Sequence, residues 1–224
     1  FLFADGQRVT WADAEITQQL EDGSLPIPSA RWRANGFALT TTAFATAVSG
    51  DPVLFVRYRI ENTGDAPRVA RLFCALRPFQ VNPPWQAFRG LGGACAVGEL
   101  RWHAGAVWVD ERKPVIPLDA PSGFGAAAFE QGGVERLLER GEVPPRDQVN
   151  DAFRHASGAL RFDLELAPGA AREYFVATPF GTHDPTRADF AELRRIGGAA
   201  HFEIATSAWR EKLGRLELRV GGGA

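Results

Sequence analysis

The chain has 224 residues, a formal net charge of −2, 45% apolar residues and 23% charged ones. That is enough for one sizeable core or two small ones, and no apolar run approaches the ~18 residues that a membrane span needs. The near-neutral charge argues against a nucleic-acid surface, and 24 Gly with 15 Pro stays below the composition of a disordered chain. A globular protein is therefore expected, with neither nucleic acid nor membrane as partner.

Smaller counts add context. Met is absent and the sequence opens on Phe1, so a cut-out from a longer chain is expected. Of the 25 basic residues all but Lys113 and Lys212 are arginines, which suits a GC-rich genome rather than a recognition surface. Nothing resembles a signal peptide, so a cytoplasmic location is preferred to a secreted one. Cys74 lies in the apolar run Leu72–Leu76 and is expected to be a buried thiol, and two cysteines make no disulfide framework.

In chain order, most of the first 180 residues read as strands. Val9 opens an extended run to Leu20, and Asp22–Gly23 turns it. Leu25-Pro26-Ile27-Pro28 cannot be helical, because each proline pushes its predecessor into extended geometry. It is expected as an edge segment or connector. Phe37–Val48 places Phe37, Leu39 and Thr41 on one parity with Thr40, Thr42 and Phe44 on the other, as in a strand packed on both faces. Val53–Ile60 and Val69–Leu76 alternate around the turn residues of Glu61–Pro67 and are expected to pair as a hairpin. Glu99–His103 and Ala106–Asp110 flank Ala104-Gly105, a two-residue hairpin turn.

Val115–Leu118 and Phe124–Phe129 follow, then a short helix over Val134–Arg140 ending at Gly141. Residues 142–157 read as a loop. Leu160–Leu166 and Arg172–Thr178 alternate around Ala167-Pro168-Gly169-Ala170. Short strands spaced by Gly/Pro turns are the signature of a sandwich or barrel. Asp184-Pro185 then starts a helix through Ile196, with Gly197-Gly198 as its stop. A second helix carries Phe202, Ala205, Trp209 and Leu213 at helical spacing, and Arg215–Val220 is extended.

The chemical motifs are sparse. His103, His155, His183 and His201 form no metal-ligand spacing, there is no nucleophile elbow, and the glycines at 90–93 lack the ending of a phosphate loop. No metal, cofactor or catalytic residue is assigned. The acid pairs Asp13/Glu15, Asp110/Glu111 and Asp163/Glu165 could serve glycoside cleavage, but solvated strand faces opposite the core are the preferred reading. Trp11, Trp32, Trp102 and Trp108 sit in strand patterns and are expected in the core. Residues 77–86 differ. Arg77, Gln80, Asn82, Trp85 and Gln86 combine a ring that can stack on a pyranose with planar groups that can bond hydroxyls, among three prolines. They are the carbohydrate-contact candidates, although the weightier reading of Trp85 is a cap on the sandwich core or burial against a neighbouring domain.

A set of motifs carries a family resemblance: Val9-Thr10-Trp11-Ala12-Asp13, Leu25-Pro26-Ile27-Pro28-Ser29, Arg59 to Pro67, and Leu76 to Trp85. Over about residues 1–220 the chain resembles the β-rich region of large bacterial discoidin (coagulation-factor-5/8-type) proteins. There it precedes a six-hairpin, glucoamylase-like barrel. The layout is similar to the β-supersandwich, galactose-mutarotase-like domain of bacterial glucoamylases and disaccharide phosphorylases. The resemblance implies a mainly β protein, a large antiparallel β-sandwich with a short internal helix and C-terminal linker helices. Residues 1–181 would be the sandwich, 182–220 a helical linker packed on it, and 221–224 a tail. It also implies a non-catalytic scaffold for a downstream catalytic domain of the same polypeptide, in contact with oligosaccharide. Phe202, Trp209 and Leu213 are then domain-interface candidates. A stand-alone aldose epimerase and an independent carbohydrate-binding module remain alternative readings.

Overall fold

The computed structural model describes residues 1–48, 50–78, 80–82, 93–180 and 187–215. The strands are β1 (Leu2–Ala4), β2 (Gln7–Val9), β3 (Glu15–Glu21), β4 (Leu25–Ala34), β5 (Phe37–Val48), β6 (Asp51–Asn62), β7 (Arg68–Leu76) and β8 (Gln80–Asn82). They continue with β9 (Gly93–Ala94), β10 (Glu99–His103), β11 (Ala106–Val109), β12 (Lys113–Pro117), β13 (Gly123–Ala127), β14 (Gln148–Asn150), β15 (Ser157–Leu166) and β16 (Ala171–Pro179). Among the described residues three α-helices complete the fold: α1 (Glu135–Leu138), α2 (Arg187–Ile196) and α3 (Gly198–Gly214).

Two antiparallel sheets face one another, as the alternation of the strands requires. One has the order β13-β15-β7-β1-β2, and the other β14-β10-β11-β12-β16-β6-β5-β4-β3. Leu72, Leu160 and Phe162 from the first meet Leu39, Ile60, Leu100 and Val107 from the second. The expected mainly β sandwich is thus the fold. The second sheet is apolar on its outer face as well, where Phe44, Phe55 and Phe175 receive Phe190 and Leu193 of α2 and Phe202 and Ala205 of α3. That explains the two packed parities of β5. Each buried phenylalanine there contributes about 1.5–3 kcal/mol. Val134 and Leu138, at α1, cover Phe73 on the far side.

The strands were readable but two of their pairings were not. β6 pairs with β5 and β16, whereas β7 pairs with β1 and β15 in the opposite sheet. The expected hairpin is therefore an arch from sheet to sheet, and β15 to β16 is a second arch beside it. Asn62 joins them. Its amide donates to Ala66 O (2.8 Å) and Leu166 O (3.0 Å), and its Oδ1 accepts from Gly64 N (3.0 Å). Its backbone N–H reaches Ala170 O (3.0 Å), and its carbonyl accepts from Gly169 N (2.9 Å). Alternation reports which face is apolar, and an arch and a hairpin look alike to it.

Other expectations are corrected locally. The extended run from Val9 is broken by a 3₁₀ turn at Trp11–Asp13, because Thr10 and Asp13 form a reciprocal capping box. Trp11 is consequently 67% exposed rather than in the core. Leu25–Pro28 belongs to β4, inside the sheet order, but β5 pairs only from Ser29 onward. The two prolines thus sit where β4 needs donors on one side alone. The loop expected at 142–157 contains β14, a short edge strand on β10. The hairpin at Ala104-Gly105 forms as expected, with φ of 53° and 80°.

Candidate binding cleft

Three connections converge at the β10–β11–β14 end of the larger sheet: residues 95–98, the β11–β12 turn at Asp110-Glu111, and residues 150–156. Between them lies an open cleft of about 1020 Å³. Asp110 organises it. One carboxylate oxygen accepts from Gly98 N (2.7 Å) and Glu99 N (2.8 Å), and the other from the Arg154 guanidinium (3.1 Å). Gly98 permits this approach, since a Cβ there would lie 3.1 Å from Asp110 Oδ1. Asp151 is buried and accepts from His155 N at 2.6 Å. Backbone bonds Val97 N to Arg154 O and Ala156 N to Val97 O, both 2.9 Å, join two of the walls.

A cluster of rings shares the 150–156 connection. Phe129 and Phe153 are 58% and 59% exposed, with centroids 5.7 Å apart and planes at 59°. The His155 ring lies 5.7 Å from Phe129, edge on. Its Nδ1 is 2.7 Å from Phe153 O. A carbonyl only accepts, so Nδ1 is the donor in this contact.

The residues singled out for carbohydrate contact fall as follows. Arg77 is drawn to the α1 side, pairing with Glu135 (3.1 Å) and lying 5.8 Å from the Phe1 ring. Gln80 and Asn82 sit on β8, paired with Ala94 and Gly93 of β9. Trp85 and Gln86 lie outside the described residues. The arm that begins at Arg77 returns through β9 to Cys95, which borders the cleft. Reading residues 142–157 as patternless missed Phe153, His155 and Asp151. The available signal was a ring and a histidine in a turn-rich stretch with no alternation to place them in a core.

One member of each acid pair, Asp13, Asp110 or Asp163, is engaged structurally. Asp13 closes the Thr10 cap, and that bond holds its carboxyl below the ordinary range. Asp163 lies between Arg71 (3.5 Å) and Arg161 (3.3 Å). Burial pushes the Cys74 thiol up to about 11, and it is in hydrogen-bonding contact with Tyr58 across the sheets. That thiol is a poor nucleophile at neutral pH. Among the described residues no histidine bonds a glutamate, and no three His, Cys, Asp or Glu side chains are grouped to hold a metal. No described helix is long and apolar enough to cross a membrane.

No family model matches the chain, and no curated protein matches it. Among solved structures, one titled "Putative kojibiose phosphorylase from human microbiome" aligns with 97% of this chain at 8% identity and a TM-score of 0.39. The chain spans about a quarter (25%) of that protein's length.

Of the interface candidates, Phe202 is buried on the sheet, Trp209 is half-buried with Lys212 5.0 Å over its ring, and Leu213 is 37% exposed. Helix α3 reaches the β3–β4 turn, where Arg210 pairs with Asp22 at 2.7 Å.

Proposed function

We propose that this chain is the β-supersandwich domain of a glycoside-hydrolase-like protein, a scaffold for a downstream six-hairpin catalytic domain and in contact with carbohydrate through the arm of residues 77–86. The observation that supports the scaffold role is the α3 stripe. Phe202 and Ala205 seat on the larger sheet, Trp209 is only partly covered there, and Leu213 carries the same stripe on to the surface. A helix apolar past its own fold is suited to a second body. The motif resemblance supplies that body: the barrel that follows this region in similar proteins.

The test uses the full-length gene product, expressed as sandwich and downstream pieces. The pieces should co-elute, and Leu213→Glu with Trp209→Glu should weaken their association about tenfold or more. The melting of the sandwich alone should stay within a few degrees. Pieces that elute separately at micromolar concentration would remove the scaffold role.

A further inference from the structure

We infer that the Phe129–Phe153–His155 face, together with the cleft that shares its 150–156 connection, forms a binding site for a neutral saccharide, built from residues other than the candidates of the arm 77–86. This deepens the carbohydrate reading and rests on it. Phe129 and Phe153 are each about three-fifths exposed and in contact with one another, in a chain that buries eight of its twelve other described phenylalanines. Phe offers no hydrogen bond, so the face suits the C–H surface of a pyranose. The ring planes meet at 59°, so one ring can lie under the sugar while the other borders its edge.

The cleft supplies the complementary chemistry. Its lining holds the acids Glu99, Asp110, Glu111 and Asp151 against Arg112, Lys113 and Arg154. Charges that nearly cancel disfavour an ionic ligand. Mixed donors and acceptors match hydroxyls, each of which both donates and accepts. The scaffold is fixed before a ligand arrives. Asp110 accepts from two backbone N–H groups and from Arg154, and Val97 pins the ring-bearing connection through its two backbone bonds. Little ordering is then required on binding. A protein partner fits less well. Three rings offer at most a few hundred Å², well below the ~800 Å² per partner of a stable interface.

The experiment is calorimetric titration of the 224-residue protein with neutral trisaccharides of maltose, cellobiose and β-1,3-glucan type, alongside a galacturonate trimer. At least one neutral sugar should bind. Phe129→Ala and Phe153→Ala should each weaken it about tenfold, the loss of one stacking contact. Phe153→Tyr should retain binding, and unchanged melting temperatures would show that the variants fold. Binding that survives both alanine variants but is lost in Trp85→Ala would overturn this site while leaving carbohydrate contact at the arm intact. Absence of neutral-sugar binding, or preference for the galacturonate, would also overturn it. The scaffold role is judged separately by the co-elution of the two pieces.

Discussion

The two faces of the larger sheet bury polar side chains in opposite ways. On the inner side Asn62 is fully enclosed and every one of its polar groups is bonded, so the residue clamps two arches together. On the outer side His201 of α3 is only 2% exposed and stacks 4.5 Å from Phe55, yet neither ring nitrogen has a hydrogen-bond partner. The first is a polar group that the fold needs. The second is a flat ring filling an apolar slot, tolerated while neutral.

The sharpest way to break this contrast is Asn62→Ala. Three side-chain bonds vanish, one of them to the buried Leu166 carbonyl, so denaturant unfolding should show a loss of about 3 kcal/mol. Asn62→Asp keeps the shape but turns an acceptor toward two carbonyls, and should destabilise comparably. A mild Asp variant would mean that shape, rather than donation, secures the arches.

Next in size is the seat of α3. A Cβ on Gly198 would fall 2.0 Å from Phe175 Cγ, against a ring held in the core. Gly198→Ala should cost about 2 kcal/mol in the same assay, despite the better helix propensity of Ala. A neutral or stabilising result would show that α3 rides loosely on the sheet.

His201 tests the outer face through pH. Burial pulls its imidazole below the ordinary value, partly opposed by the Glu192 carboxylate. As pH falls the unfolded chain takes up this proton first. Its share of stability is therefore complete above the unfolded value near 6.5 and is lost as pH drops from there, by at most about 1.4 kcal/mol per pH unit. His201→Phe should match the parent at pH 8 and exceed it at pH 5 in urea unfolding. Parallel pH profiles for the two proteins would remove the residue from that role.

The smallest effect is expected at Thr206, buried on the same helix, whose hydroxyl donates to Phe202 O at 2.8 Å. Thr206→Val preserves the shape and removes a bond whose acceptor belongs to the helix ladder. The change should stay below about 1 kcal/mol by urea unfolding. A loss as large as that of Asn62→Ala would erase the difference between the two faces.

Much of the local structure was legible because period and turn chemistry act within a few residues. β5 was readable from end to end, as was the Ala104-Gly105 turn, whose backbone needs positive φ at both positions. Trp11 was misread because a Thr10–Asp13 cap outcompeted the strand pattern over three residues. The candidate cleft was scarcely legible. Its parts come from residues 95–99, 109–113 and 150–154, which no window spans, and they meet only in the folded sheet, where β10 pairs with β11 and β14.

By itself, then, the sequence determined that the chain is mainly β, where most strands run and which of their faces are apolar. Hydrophobic alternation and Gly/Pro turns are enough for that. Only the tertiary structure decided that β6 and β7 lie in opposite sheets, that Asn62 clamps the two arches, and that Phe129 and Phe153 meet on the surface. The reason is physical. An alternating strand must bury one face, but the partner across the core and the neighbour along the hydrogen bonds are chosen by the packing of the whole sandwich.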